Sequence, residues 1–328
     1  MVVTLDDIAS HIGVTKTTVS LVLNSRGGKT RISQTTTDRI RQAAKDLDYR
    51  PSFSAQALTK GKTSSFGFIC GAIDSPFLAE MTALALREAK QRNHHLLLAA
   101  TQWETKSELE AFELLLARGV DGIMMFSSAI TPDSDQYRYI HSHQFPTVIM
   151  DQISGDLPMI FEDFLPGMMQ AVEHLKDRGC RSVGYVGHWP ASRLKFPCFE
   201  QACKHHNLKA SSWPCEVDPD LILESGRAFA RNPDRPDAVI VVSDMAAIIF
   251  MQGLTEEGLR VPEDVAVIGS DDIRMARFMN PPLTTIIRDR TTMVTQALDW
   301  LIQMTDQKKL LLGKECCLPT KLVIRKST

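Results

Sequence analysis

Hydroxyl-bearing and cationic side chains are concentrated in a short run near the start of the chain. Residues 15–20 read Thr-Lys-Thr-Thr-Val-Ser, so five of the six side chains carry a hydrogen-bond donor. Groups of this kind bind phosphate oxygens and the polar edges of bases. The run therefore favours binding to a polyanion over catalysis.

Signatures of common enzymes are missing from the sequence. It has no Gly-x-Ser-x-Gly, no Gly-x-Gly-x-x-Gly after a strand and no His-Glu-x-x-His. The acids Asp271 and Asp272 are adjacent, which points their side chains apart rather than together. The Cys and His residues between 198 and 215 lack the paired spacing of structural zinc ligands. We therefore predict no metal, no cofactor and no enzymatic activity.

Helical patterns surround the polar run. Thr4 can cap a first helix that ends at Gly13, a second helix follows over 15–24, and Ser33 can cap a third over 36–47. Two short helices joined at a glycine, the second with a polar start, are typical of a helix-turn-helix. An ordinary three-helix unit is the alternative.

The charge distribution supports a polyanion partner for this region. Residues 1–62 hold ten Lys and Arg against five Asp and Glu, a net charge of +5, whereas the whole chain carries −2. The remainder is therefore acidic, at −7. A basic head on an acidic body indicates that the head binds a polyanion.

Length and composition indicate a soluble protein of two or three domains, since the 328 residues are 44% hydrophobic and 23% charged. The start lacks the pattern of a signal peptide, and no apolar run is long enough to span a bilayer. We expect a cytoplasmic protein with reduced cysteines and no membrane partner.

Three motifs in the head resemble the signature of the LacI/GalR repressor family: Thr4-Leu5-x-Asp7-Ile8-Ala9, Gly13-Val14-x-x-x-Thr18-Val19-Ser20 and Tyr49-x-Pro51. Phrases in the body are similar too, such as Pro282-Leu283-Thr284-Thr285-Ile286, so the resemblance covers essentially the whole chain. The run Thr18–Leu23 resembles the maltose-regulon repressor branch.

The resemblance implies roles for residues of the head. Lys16 and Thr17 match positions that meet base edges, and Leu21 stands where many members have an arginine that grips guanine. We therefore expect an operator that departs from the usual half-site at one base pair. Leu58 matches a lever residue that wedges into the minor groove. The remaining phosphate and hinge positions implied by the resemblance are Thr4, Thr15, Thr18, Ser20, Asn24, Ser33 and Thr36 for phosphates, and Ser52, Ala55, Gln56 and Thr59 in the hinge.

The body alternates strand and helix patterns in two series, which predicts parallel sheets with helices on both faces. The fold class is therefore α/β, with an all-α head and a periplasmic-binding-protein-like body of two doubly wound lobes. We predict a helix-turn-helix domain over 1–49, a hinge over 50–63 and an effector-binding and dimerisation domain over 64–328. The first lobe is expected at about 64–160 and 289–317, and the second lobe at about 161–288 and 318–328.

Ligands are expected in the cleft beyond the strand ends, between the lobes. Asp271 matches an acid that accepts hydrogen bonds from sugar hydroxyls, Lys195 replaces an arginine and Ser243 replaces an asparagine. The other implied cleft residues are Phe77, Phe126, Phe164 and Leu221. The cleft has few polar anchors, so an unusual effector, a more apolar or anionic one, or none at all remain open.

The family's mechanism implies a homodimeric repressor of carbohydrate-utilisation genes that binds a pseudo-palindromic operator and responds to a sugar-like effector. A regulator controlled by a protein partner, or one without an effector, is the alternative. A stand-alone sugar-binding protein would share the body but would lack the head.

Overall fold

A computed structural model describes residues 3–24, 32–50, 61–127, 129–188 and 191–328. Contacts within the chain divide it into two compact units, residues 1–63 and 64–328. Each unit has its own buried apolar core.

The first unit contains the helices Leu5–Ile12, Lys16–Asn24 and Gln34–Asp46. One fully buried side chain from each helix meets at its centre: Ile8, Val19 and Ile40. Thr4 and Asp7 cap the first helix reciprocally, and Gly13 ends it with a left-handed φ of 69°, which glycine adopts without strain. The three predicted helices are confirmed, although the third begins at Gln34, directly after its cap Ser33.

The second unit is built on two six-stranded sheets. The first sheet consists of β1 Ser65–Cys70, β2 His95–Ala100, β3 Gly122–Met125, β4 Thr147–Ile149, β5 Met159–Asp163 and β11 Glu315–Pro319. The second consists of β6 Ser182–Gly187, β7 Lys209–Pro214, β8 Ala238–Val241, β9 Ala266–Asp271, β10 Thr284–Ile287 and β12 Lys321–Val323. The strand order is β11-β5-β4-β3-β1-β2 in the first sheet and β12-β10-β9-β8-β6-β7 in the second. Neighbouring strands pair in parallel, except that β12 runs antiparallel to β10.

Helices complete the two lobes. The helices of the first lobe are Pro76–Gln91, Thr105–Ala117, Asp135–His143 and Arg290–Gln307. The helices of the second lobe are Leu165–Asp177, Lys195–His206, Pro219–Arg231 and Asp244–Glu256, with a 3-10 turn at Arg274–Phe278. Crossover helices between parallel strands are what such a sheet requires. No described helix is long and apolar enough to cross a membrane.

The chain passes between the lobes at 163–165, 287–290 and 319–321. Two of these passages lie a few residues later than we expected from the sequence. The reason is that β5 and β11 both belong to the first sheet and pair with each other from Met159–Glu315 to Asp163–Pro319. The sequence did not predict either strand, because Glu and Asp end one and Pro ends the other.

Candidate nucleic-acid interface and interlobe cluster

The helix Lys16–Asn24 has one buried side and one polar exposed side. Val19 and Val22 pack into the core of the first unit, whereas Lys16 and Thr17 are exposed on its first turn. Leu21 departs from this division, since its apolar side chain is 51% exposed. A leucine that is half-exposed on the surface of its domain is available to contact another molecule.

Lys16 already has an ionic partner within the unit. Its Nζ lies 2.6 Å from Oδ2 of Asp6, and both side chains are exposed. An exposed ion pair of this kind contributes about 0–1 kcal/mol, so it is easily exchanged for another acceptor.

Hydroxyl groups cluster at helix N-termini in the first unit. Thr15 Oγ1 accepts from the backbone N–H of Thr18 and lies 2.8 Å from its hydroxyl. Ser33 Oγ is placed similarly with Thr36, at 2.9 Å between hydroxyl oxygens. A helix N-terminus lined with donors is well suited to a phosphate group.

Some residues that we predicted to contact DNA are not among the residues that the structure describes. Ser52, Ala55, Gln56, Leu58 and Thr59 fall outside the described residues, as does the side chain of Asn24. Thr4 is exposed and Ser20 is half-buried.

In the second unit, side chains that follow the strand ends meet between the lobes. The aromatic residues Phe77, Phe126 and Phe164 come after β1, β3 and β5 of the first sheet, and Asp271 ends β9 of the second. Carboxyl ends of parallel strands are where an α/β fold places its ligand site. We call the following set the interlobe cluster: Phe77, Phe126, Phe164, Glu162, Lys195, Asp271 and Arg288.

Arg288 is the centre of the interlobe cluster, and sequence reasoning missed it. Its Nε and Nη2 each lie 2.7 Å from Oε1 of Glu162, and its Nη1 lies 3.2 Å from Oδ1 of Asp271. The carbon of its guanidinium group lies 4.0, 5.5 and 5.6 Å from three ring centroids, those of Phe77, Phe126 and Phe164. Burial disfavours the charged form, but the two carboxylates outweigh it and raise the Arg288 pKa.

Lys195 adds a second buried cation. Its Nζ donates to the carbonyl of Val242 at 2.7 Å and lies 3.8 Å from Oδ1 of Asp271. Burial lowers the Lys195 pKa, although the nearby Asp271 opposes that shift. Two buried cations and two buried carboxylates thus balance one another at the centre of the second unit.

The backbone at Asp271 is strained. Its φ is 121°, a region that favours glycine, and Asp272 follows at 51°. Arg290 holds both carbonyls, with hydrogen bonds of 2.7 and 3.0 Å. Strain kept in place by a dedicated arginine is typical of a functional site.

Two of the predicted cleft residues lie outside the interlobe cluster. Ser243 caps the helix Asp244–Glu256 by accepting from the backbone N–H of Ala246. Leu221 lies in the first turn of the helix Pro219–Arg231 and is 53% exposed. Neither belongs to the buried charge network, so their contact with an effector stays a prediction.

Asp244 is a buried acid that the sequence did not single out. It accepts hydrogen bonds from the hydroxyl of Thr285 and from the N–H of Ile273. Burial, followed by the charge of Asp271, raises the Asp244 pKa to about 7.

Within the described residues, no group of three or more His, Cys, Asp or Glu side chains is placed to hold a metal ion. The sites described above are a polar helix in the first unit and a charged, aromatic cluster between the two lobes of the second. A helix-turn-helix unit followed by a two-lobed parallel-sheet body defines a DNA-binding transcription regulator.

Comparisons with known proteins give the family. The family "Bacterial regulatory proteins, lacI family" matches residues 4–52, and the family "Periplasmic binding protein-like domain" matches residues 172–328. The ribose operon repressor of Escherichia coli K12 is 32% identical over 318 residues, covering 94% of each chain. The HTH-type transcriptional repressor PurR of Glaesserella parasuis is 31% identical over 313 residues, which are 93% of this chain and 90% of that protein.

Solved structures show the same fold. The lac repressor dimer bound to operator and the anti-inducer ONPF matches with a TM-score of 0.87 and 25% identity, covering 100% of this chain and 99% of that chain. The chain belongs to the lacI family of bacterial regulatory proteins. The resemblance found in the sequence motifs is confirmed, whereas the maltose-regulon branch stays a prediction.

Proposed function

We propose that the protein is a transcriptional repressor that binds a pseudo-palindromic operator as a homodimer and responds to a small molecule held between its lobes. The observation that carries the DNA-binding half is the helix Lys16–Asn24, which exposes Lys16, Thr17 and Leu21 while burying its other side. A dimer presents two copies of this helix to two half-sites. A protein with this role acts on DNA in the cytoplasm, and we assign it no catalytic activity.

Base contacts come from Lys16, Thr17 and Leu21 in this proposal, and phosphate contacts come from the hydroxyls at the helix N-termini. Leucine offers only apolar contact, for instance to a thymine methyl. The helix-turn-helix spans 1–49, the hinge 50–63 and the effector-binding body 64–328.

The test uses genomic DNA fragments recovered with the full-length protein. Replacing Lys16 and Thr17 by alanine should weaken binding to the recovered sites by about 10-fold or more, since each base contact contributes about 1–3 kcal/mol. The matched control is Lys45→Ala, which removes an exposed cation from the third helix. Equal losses for both variants would mean that Lys16 contributes only its charge and that Thr17 contributes no base contact. If no sites were recovered, the function itself would be contradicted.

For the effector, the interlobe cluster is the proposed site. A first candidate class comes from the ribose operon repressor of Escherichia coli K12, which is 32% identical to this chain. A LacI family transcriptional regulator from Enterococcus faecalis, which shares the fold, was solved with bound ribose. We therefore propose a sugar-like effector that contacts Asp271 and Lys195. Its binding would change operator affinity by favouring one of two arrangements of the lobes.

A further inference from the structure

Within the interlobe cluster, the guanidinium group of Arg288 lies where a ligand would contact the other members. It takes the carboxylate contacts of Glu162 and Asp271 that ligand donors would otherwise make, at 2.7 and 3.2 Å. Three phenylalanine rings complete its surroundings, the nearest at 4.0 Å. Carboxylates together with aromatic faces are what binds a cation in proteins.

We propose that the interlobe cluster binds an organic cation, whose place Arg288 takes in this structure, and that the effector carries an ammonium or guanidinium group. This proposal rests on the proposed function, whose effector site it shares. The expected effector is then an amino sugar, or another small molecule that carries an amine or a guanidine, rather than a neutral sugar.

Charge balance decides between ligand classes. Lys195 and Arg288 offset the charges of Glu162 and Asp271, so these two cations and two carboxylates balance one another, and the buried acid Asp244 adds no further cation. A cationic ligand that displaces Arg288 to solvent leaves the balance unchanged. A neutral ligand that displaces it leaves an uncompensated buried carboxylate, and an added anion leaves one too many negative charges; both are costly in a buried site.

Displacement of Arg288 by a ligand would also change a contact between the two lobes. Glu162 lies on β5 of the first sheet and Asp271 on β9 of the second, so the side chain ties the two lobes together. Asp151 and Arg193 form another tie, at 3.3 Å. A ligand that replaces Arg288 therefore alters a contact on which the arrangement of the lobes depends.

Chemical rescue tests the proposal. In the full-length Arg288→Ala variant, methylguanidinium should raise the melting temperature saturably, by about 3 °C or more at ten times its dissociation constant. Urea, which is similar in shape but neutral, and sodium chloride at equal ionic strength should not. The wild type should respond only at higher concentrations, because methylguanidinium must displace Arg288 there. Arg227→Ala should behave as the wild type does, since Arg227 pairs with Glu224 and Glu256 at the surface.

The aromatic contribution is tested in the same assay. The double variant Arg288→Ala, Phe77→Leu should bind methylguanidinium about fivefold more weakly than Arg288→Ala alone, because it lacks the nearest ring. If Arg288→Ala does not fold, Arg288→Lys should retain the wild-type melting temperature more closely than Arg288→Met does.

Two results would overturn the proposal. One is a folded Arg288→Ala variant that responds equally to methylguanidinium and urea. The other is stabilisation of that variant by ribose and not by methylguanidinium, which would make the centre a polyol site that Arg288 merely fills. Operator binding is measured on the same samples, so intact binding without a cation response counts against this inference alone.

Discussion

The carboxylate of Asp6 lies 2.6 Å from the ammonium group of Lys16. In the proposed function, this carboxylate and DNA compete for Lys16. The pair is exposed, and Asp6 also places a negative charge near the polar helix that we assign to the operator. Both effects oppose binding to a polyanion. The acid has a local benefit as well, because it lies in the first turn of its helix, near the positive end of the helix dipole.

Asp6→Asn should therefore raise operator affinity about three- to fivefold, since it frees Lys16 and removes a repulsive charge. Fluorescence anisotropy on an operator duplex measures this. Asp46→Asn, at the far end of the third helix, is the matched control and should change affinity less. Unchanged affinity in Asp6→Asn would show that Asp6 does not compete with DNA for Lys16.

Asp244 makes the stability of the body depend on pH. Its folded-state pKa of about 7 exceeds the ordinary value of 3.8, so the folded protein binds more protons than the unfolded chain between these values. Stability from this group is therefore lost as the pH rises from about 4 to about 7.

Asp244→Asn should remove that dependence. Between pH 5 and 7, the free energy of unfolding of the wild type should fall relative to the variant by about 2 kcal/mol. Urea unfolding of both proteins across this range gives the difference. A difference that stays constant with pH would place the Asp244 pKa at its ordinary value.

Individual residues were predicted unevenly. Thr4, Gly13 and Ser33 were assigned correctly because caps and helix ends are local, and they depend on side chains a few positions apart. Arg288 was missed because its partner Glu162 lies 126 positions away, and no local pattern marks such a pair. An arginine after a strand is unremarkable until the fold supplies two carboxylates and three rings.

At the scale of elements, the apolar strands were the ones that the sequence predicted correctly. β1, β3 and β8 are buried along their whole length, and their runs of hydrophobic residues predict them. β7 reads Lys-Ala-Ser-Ser-Trp-Pro and is mostly exposed at the edge of its sheet. Its polar sequence gives no strand signal, and only pairing with β6 makes it a strand.

The hinge proposed over 50–63 is the element whose role depends most on the family resemblance. Leu58→Ala should weaken operator binding by more than the loss of one buried apolar contact, about 10-fold or more, because the bend it supports would be lost as well. Gel mobility of circularly permuted operator fragments reports the bend. Binding and bend equal to those of the wild type would contradict the wedge.

At the scale of the whole molecule, the distribution of charge along the sequence predicted the division of the chain into two units. The basic segment 1–62 coincides with the first compact unit, and the acidic remainder coincides with the second. Fold class followed from alternation of strands and helices. The chemistry of the interlobe cluster could not be predicted in this way. Its residues are far apart in the sequence and come together only because the chain passes three times between the lobes.

The central claim is that the helix Lys16–Asn24 selects a DNA sequence. Selection from randomised duplexes, with the wild type and Leu21→Arg in parallel, tests it most directly. We predict an enriched site with two inverted half-sites for the wild type, and a shift toward guanine at one symmetric base pair for the variant, because arginine can bind guanine through two hydrogen bonds. No enriched site, or the same site for both proteins, would contradict the assignment of this helix to operator bases.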